Sequence, residues 1–110
     1  MEYTIEQWRK ELAARFGPFM ENYKFICPRC GRVNIGQEFK EAGASPDATA
    51  TCCIGRFEPA KGCDWAAFGL FGTMGRGDTV AFQDGKKSNV FRMADKDMQT
   101  GDIYPWPKHK

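Results

Sequence analysis

The placement of the cysteines restricts the folds that are open to this chain. All five lie between positions 27 and 63, beginning with Cys27-Pro28-Arg29-Cys30-Gly31 and ending at Cys63. A Cys-x-x-Cys-Gly turn directs two sulfurs at one point, and a second pair of thiols can complete the tetrahedral sulfur shell that structural zinc prefers. The sequence therefore predicts a fold that depends on Zn²⁺.

Five cysteines for four ligand positions leave one over. Cys52 and Cys53 are consecutive, and successive residues of a strand point to opposite faces, so only one of them can face the metal. Cys53 is favoured because Ile54-Gly55-Arg56 follows it, as Gly31-Arg32 follows Cys30. Cys52 is then a buried small hydrophobe or a spare thiol. We predict that structural Zn²⁺ is held by Cys27, Cys30, Cys53 and Cys63.

Other chemistries fit the sequence less well. Cysteines packed without metal are one alternative, and an iron–sulfur cluster is another, although the irregular spacing disfavours it. Catalytic zinc is disfavoured because four thiolates leave no open position for water. The one histidine, His109, lies next to the last residue of the sequence, so no histidine-based triad is expected. The sequence therefore predicts a protein that is not an enzyme.

Charge and hydropathy narrow the function classes further. The formal net charge is +2 with neutral cysteines, and four thiolates around one Zn²⁺ would bring it near zero. A near-neutral domain lacks the long-range attraction for phosphate of strongly basic proteins. No apolar run approaches the roughly 18–20 residues of a membrane span, and the polar start is unlike a secretory signal. These features predict a cytoplasmic protein, where thiols stay reduced.

The fold class is read from the periodicity of apolar residues. Thr4 and Gln7 form a capping-box pattern ahead of an amphipathic helix over residues 4–16, which Gly17 ends. The aromatic stripe of this helix is interpreted as core packing. Further elements are expected as a hairpin of strands at 24–26 and 32–33, a helix at 34–43 capped by Asn34, strands at 49–57 and 64–71, and a hairpin of strands at 79–82 and 89–92.

The sequence thus predicts one α+β domain over residues 1–110. Its architecture is expected to be zinc-ribbon-like, with the N-terminal helix packed on short antiparallel strands. The glycine-rich stretch at 72–78 is expected to be a mobile loop. Residues 94–110 are polar and are expected to form an extended or partly disordered tail.

The sequence also resembles a family of small zinc-ribbon-like proteins from bacteriophages and mobile elements. The resemblance covers roughly residues 4–71, and its most specific parts are Phe25-Ile26-Cys27-Pro28-Arg29-Cys30-Gly31, Cys53-Ile54-Gly55-Arg56 and Gly62-Cys63-Asp64-Trp65. It places Cys53 rather than Cys52 at the ligand position. It implies an accessory protein that binds a host protein complex in the bacterial cytoplasm, in the manner of inhibitors of CRISPR effector nucleases (anti-CRISPR proteins).

A partner surface can be proposed from residue types, since aromatic and arginine side chains usually anchor protein interfaces. The protein is expected to be a monomer whose partner-binding residues are Trp65, Phe68, Phe71, Arg76, Lys86 and Lys87. The alternative function is a nucleic-acid-binding zinc ribbon that uses Lys24, Arg29, Arg32 and Arg56 with neighbouring aromatic rings. A hydrolase or redox enzyme would need a reactive Cys52.

Overall fold

A mixed β-sheet forms the centre of the fold. The structure is a computed structural model that describes residues 1–68 and 72–106. Over this part of the chain the sheet has five strands in the order β1-β4-β5-β2-β3. The strands are β1 (Glu2–Thr4), β2 (Lys24–Ile26), β3 (Val33–Ile35), β4 (Gly77–Ala81) and β5 (Lys87–Met93). The helices are α1 (Ile5–Phe16) and α2 (Gly36–Glu41), with short 3₁₀ helices at Met20–Asn22, Pro46–Ala50 and Ile54–Arg56.

The predicted N-terminal helix is confirmed in its bounds and its caps. The Thr4 hydroxyl accepts a hydrogen bond from the Gln7 backbone N–H at 3.1 Å, and the Gln7 side-chain oxygen accepts one from the Thr4 N–H at 3.0 Å. Gly17 ends the helix with φ +86. Leu12 is fully buried, and the Trp8 ring lies 6.0 Å from that of Phe25. The apolar stripe therefore packs on the sheet.

No helix in residues 1–68 and 72–106 has the length and apolar character to cross a membrane.

Both predicted hairpins are present. Strands β2 and β3 pair antiparallel, with the first cysteine pair in the turn that joins them. Strands β4 and β5 form an antiparallel ladder of five pairs, and Gly85 takes φ +87 in their connection. Strand β2 also pairs with β5, which places the cysteine-bearing turn beside the centre of the sheet.

The predicted start of the second helix is wrong. Asn34 does not cap a helix but pairs with Phe25 inside the sheet, and its side chain is fully buried. Helix α2 begins two residues later, and the Glu38 carboxylate accepts a hydrogen bond from the Ile35 N–H at 3.3 Å, which caps the helix. The buried polar contacts of Asn34 therefore outweigh its preference for a helix start.

The strands predicted at 49–57 and 64–71 are also wrong for the described residues. The first is replaced by the 3₁₀ helices at Pro46–Ala50 and Ile54–Arg56, because Pro46 starts a helical turn and the chain must bend at the tandem cysteines. Of the second, Ala66 forms a single antiparallel bridge with Cys52 and the chain then turns. Residues 69–71 of that predicted strand lie outside the described residues.

The prediction of a purely antiparallel sheet is wrong, because β1 pairs parallel with β4. A three-residue polar strand is too short to show a period of two, so sequence reasoning missed it. Strand β4 begins at Gly77, so the end of the expected loop at 72–78 belongs to the sheet.

The segment after β5 covers the second face of the sheet. Phe25 and Ile26 are successive strand residues on opposite faces. Phe25 belongs to the main core, whereas Ile26 packs with Val33 and Ala94 in a smaller core. Met98, Tyr104 and Trp106 pack against that smaller core. Residues 94–106 of the expected tail form this cover, and they are bonded along β3 by Val33 N–H to Asp102 C=O (2.8 Å) and Gly101 N–H to Val33 C=O (2.8 Å). Residues 107–110 of the predicted tail lie outside the described residues.

Candidate metal centre

Four cysteine sulfurs converge at one end of the β2–β3 hairpin. The Sγ atoms of Cys27, Cys30, Cys53 and Cys63 all lie within 4.8 Å of one another. The Cys27 and Cys63 sulfurs are 3.5 Å apart, and those of Cys30 and Cys53 are 3.8 Å apart. In a tetrahedral site with Zn–S bonds of about 2.3 Å, two sulfurs are about 3.8 Å apart. The cluster therefore has the dimensions of a four-thiolate site and could hold a metal such as zinc.

The backbone aims each sulfur at the common point. The turn at Cys27 closes with a hydrogen bond from Gly31 N–H to Cys27 C=O at 3.0 Å, and Gly31 takes φ +79. The turn at Cys53 is followed by the 3₁₀ helix, and Cys53 N–H donates to Trp65 C=O at 3.0 Å. Each sulfur also accepts a hydrogen bond from a backbone N–H two or three residues further along the chain. The donors are the N–H groups of Cys30 (to Cys27), Arg32 (to Cys30), Gly55 (to Cys53) and Trp65 (to Cys63).

Two glycines let the second half of the cluster close. A Cβ atom at Gly55 would lie 2.2 Å from the carbonyl oxygens of Gly62 and Cys63. A Cβ atom at Gly62 would lie 2.9 Å from the Cys53 sulfur. The close approach of the 53–56 and 62–63 segments therefore requires residues without side chains.

A buried polar network stands behind Cys53, and sequence reasoning missed it. The Asn34 side-chain amide donates to the Cys53 sulfur at 3.6 Å and its oxygen accepts from the Arg32 guanidinium. That guanidinium forms a bidentate pair with the Glu38 carboxylate at 2.9 and 2.8 Å. The Glu38 partner raises the pKa of Arg32. An asparagine between the apolar Val33 and Ile35 was the available signal, since a polar residue in a buried strand needs a partner.

The four thiols share their protons unequally. Hydrogen bonding to Cys27 lowers the pKa of Cys30, and it lowers the pKa of Cys53 to about 6. Hydrogen bonding to Cys30 in turn raises the pKa of Cys27. The hydrogen bonds among the thiols therefore lower the pKa of some of them and raise that of others. A divalent cation would displace the remaining protons, because only thiolates bind metal.

The fifth cysteine lies outside the cluster. Cys52 is 6% exposed and packs in the main core, and its sulfur is 3.7 Å from the Thr51 hydroxyl. The tandem cysteines thus point in different directions, and Cys53 is the one that reaches the other sulfurs.

The structure does not bring the residues of the predicted partner surface to one place. The Trp65 indole N–H donates to Gly72 C=O at 2.9 Å, Phe68 is 71% exposed, and Arg76 donates to Pro28 C=O at 2.9 Å. These three border the cysteine-bearing segments. Lys86 and Lys87 are exposed at the opposite end of the β4–β5 ladder from Gly77. Phe71 lies outside the described residues.

The cations of the alternative nucleic-acid surface have internal partners. Arg32 is in the buried pair with Glu38, and the Lys24 ammonium donates to the carbonyl oxygens of Lys96 and Met98. Arg29 and Arg56 are more accessible. Arg29 lies 3.5 Å from the Asp64 carboxylate and 5.9 Å from the Trp65 ring, whereas Arg56 donates to Asp64 C=O and lies 5.6 Å from the Phe68 ring.

Fold and cluster together define a small α+β domain with a mixed sheet, an N-terminal helix and a four-cysteine site. The chain belongs to the VVA0879-like family, whose family model matches residues 4–94. The match extends past residue 71, where the resemblance drawn from the motifs ends, and includes both strands of the β4–β5 hairpin. Searches against curated proteins and against solved structures each gave no match.

Proposed function

We propose that the four-cysteine cluster is a structural zinc site and that the protein is a zinc-stapled binding domain without catalytic activity. The observation that carries the proposal is the convergence of four sulfurs within 4.8 Å. Zinc is favoured over harder cations because thiolates are soft ligands, and tetrahedral sulfur sites hold zinc or iron. Four thiolates would fill the coordination shell, so no position remains for a reacting water.

The site would act as a staple between distant parts of the chain. Cys27 and Cys30 belong to the β2–β3 turn, whereas Cys53 and Cys63 flank a loop with little regular structure. The C-terminal segment is attached to the same point, because the Trp106 indole N–H donates to Cys27 C=O at 2.7 Å. Bound metal would fix all three segments at once, as a zinc-ribbon-like centre does.

Cobalt substitution tests the site itself. The purified protein refolded with Co²⁺ should show the intense visible bands of tetrahedral thiolate-bound cobalt, and added Zn²⁺ should abolish them. The Cys53→Ser variant should lack these bands, and Cys52→Ser should leave them unchanged. Octahedral cobalt spectra from both the parent protein and the Cys52→Ser variant would contradict a four-thiolate site.

The proposed role is to bind a host protein complex, with a CRISPR effector nuclease as the candidate target. Two features support it. One is the resemblance to accessory proteins of phages and mobile elements, and the other is an accessible aromatic and arginine surface beside the cluster. In that surface Phe68 is 71% exposed, and the Arg56 guanidinium lies 5.6 Å from its ring. Aromatic and arginine side chains are the usual anchors of protein interfaces.

Inhibition of purified effector nucleases tests this role. Zinc-loaded protein should slow target-DNA cleavage, and Phe68→Ala should weaken the effect by about tenfold or more, as expected for an anchor residue. Phe19→Ala is the matched control, since Phe19 is 62% exposed elsewhere on the molecule. The proposed role is contradicted if folded, zinc-loaded protein neither binds nor inhibits any nuclease of the panel.

Varying the salt concentration in this assay distinguishes binding to the nuclease from the alternative function, which is binding to nucleic acid. Binding to nucleic acid through Arg29 and Arg56 should weaken steeply with salt, because phosphate contacts release counterions. A protein interface built on Phe68 should depend far less on salt. Direct, salt-sensitive binding of single-stranded DNA or RNA without the nuclease would favour the nucleic-acid function instead.

A further inference from the structure

A cleft with polar and apolar walls lies beside the cysteine-bearing turn, and apart from Arg76 its lining residues belong to neither the four-cysteine site nor the predicted partner surface. Its volume is about 590 Å³, within the range of small-molecule sites, which is roughly 300–1,000 Å³. Its walls come from β1, the C-terminal part of α1, the loop before β4, the end of β5 and the C-terminal segment. Five separate segments of the chain thus meet around one cavity.

Three guanidinium groups reach this cleft from three different elements. Arg15 comes from α1, Arg76 from the loop before β4, and Arg92 from β5. Two carboxylates, Asp78 and Asp95, also line it. A planar guanidinium group can donate two parallel hydrogen bonds to two oxygens of one phosphate or carboxylate. A cleft onto which several guanidinium groups converge is therefore suited to bind an anion.

Within the described part of the chain, ion pairs engage Arg15 but not Arg92. Arg15 lies 2.7 Å from the Glu11 carboxylate and 3.7 Å from that of Asp95. Among residues 1–68 and 72–106, Arg92 forms no ion pair, and its contacts are with the Tyr104 ring at 5.3 Å and the Tyr104 hydroxyl at 3.3 Å. Arg92 is exposed, so its donors can turn to an incoming anion at little cost in desolvation.

The remaining walls are apolar and partly preorganised. Met74, Met93, Tyr3 and the Trp106 ring contribute apolar surface, which an inorganic anion alone would leave empty. The Arg76 guanidinium lies 5.5 Å from the Trp106 ring. Met74 takes φ +55, an uncommon backbone conformation for a residue other than glycine. The ligand that suits both kinds of wall has an anionic head and an apolar or aromatic body.

We propose that this cleft binds a small organic phosphate, with the phosphate on the Arg76 and Arg92 guanidinium groups and the organic part against Trp106 and the methionines. A nucleoside monophosphate combines these two parts and serves as the probe. Because Trp106 donates to Cys27 C=O and Arg76 to Pro28 C=O, the cysteine-bearing turn holds one wall of the cleft in place. The proposal requires no metal chemistry and no protein partner.

Isotope-edited NMR of the zinc-loaded protein tests the proposal. Adenosine 5′-monophosphate should shift the backbone amides of Gly75, Gly77 and Asp78. Adenosine without phosphate, and inorganic phosphate without the nucleoside, should each bind at least about tenfold more weakly, since each lacks one of the two parts. Arg92→Gln should weaken binding of the monophosphate by about tenfold or more. Arg9→Gln is the matched control, because Arg9 is an exposed arginine on α1 that does not line the cleft.

The proposal is overturned if the monophosphate shifts none of these amides or if adenosine or phosphate alone binds as tightly. It is also overturned if Arg92→Gln loses no more affinity for the monophosphate than Arg9→Gln. Arg92→Lys gives a second reading, because it keeps the charge but not the fork of donors. It should recover only part of the affinity lost in Arg92→Gln.

Discussion

At the scale of single residues, Asn34 connects the sheet to the cysteine cluster. Its side chain is fully buried, and its amide donates to the Cys53 sulfur. The Arg32–Glu38 pair fixes its orientation from the other side. A buried ion pair adds little net stability, because desolvation offsets the attraction. Its value here is to hold a donor against a sulfur that would carry negative charge when metal is bound.

Replacement of Asn34 by alanine should weaken zinc binding by about 10- to 100-fold, the usual effect of removing a hydrogen bond to a metal ligand. Competition with a chromophoric chelator measures the affinity. Gln37→Ala is the control, because Gln37 is an exposed amide on α2. Equal zinc affinities for the two variants would show that the bond to Cys53 has no influence on the metal.

Serine substitutions of the two consecutive cysteines should have opposite effects on zinc binding. Cys53→Ser removes one of the four converging sulfurs and should abolish stoichiometric zinc binding, whereas Cys52→Ser should retain one zinc per chain. Placing a hydroxyl in the core position of Cys52 should still cost about 1–3 kcal/mol in the free energy of unfolding. Metal analysis together with denaturant unfolding measures both effects. A zinc-free Cys52→Ser variant that remains folded would contradict the assignment.

At the scale of elements, the C-terminal segment packs closely against the cysteine-bearing turn and is hydrogen-bonded to it. Tyr104 N–H donates to Gly31 C=O at 2.7 Å, and a Cβ atom at Gly31 would lie 2.3 Å from the Tyr104 carbonyl oxygen. Gly31 thus satisfies two demands, a left-handed backbone at φ +79 and a close crossing by another segment. Gly85 has a similar φ of +87 but open space around it.

These two glycines form a matched pair of tests. Gly85→Ala should cost only the backbone strain, about 1–2 kcal/mol in the free energy of unfolding. Gly31→Ala adds the clash and should cost roughly 2–5 kcal/mol. Denaturant unfolding of both zinc-loaded variants gives the comparison. If Gly31→Ala were no more costly than Gly85→Ala, the C-terminal segment would not be docked on the turn.

The elements also show how far sequence reasoning reaches. Helix α1 and both hairpins could be predicted, because capping residues and local periodicity encode them. The four converging cysteines could be selected from their spacing together with the Ile54-Gly55-Arg56 segment that follows Cys53. The region from 49 to 68 could not be predicted, since its path is set by long-range contacts of Gly55 and Gly62 with the cluster. The same holds for β1, whose three residues gain their strand character only from pairing with β4.

At the scale of the whole molecule, the zinc site and the fold should be one cooperative unit. Structural zinc in small domains contributes an apparent 10–16 kcal/mol, which matches or exceeds the 5–15 kcal/mol stability of a typical domain. The main core contains Cys27 and Cys53, so loss of the metal would expose thiolates or thiols inside that core. The metal-free chain should therefore be largely unfolded at neutral pH.

Chelation tests this coupling. A strong chelator should remove the helix and sheet signals of circular dichroism together, and added Zn²⁺ should restore them. Acidification should act in the same direction, because protons compete with the metal for the cysteine sulfurs. The Cys52→Ser variant serves as a control that keeps all four converging cysteines. An unchanged spectrum from a sample shown to be free of metal would mean that the fold does not need zinc.

Native mass spectrometry of the freshly purified, folded protein shows directly whether the chain carries a metal ion. We predict a mass equal to the polypeptide plus one zinc ion, less the protons that the bound thiolates release. The bare polypeptide mass, from a sample whose circular dichroism shows it to be folded, would contradict a metal-stapled domain.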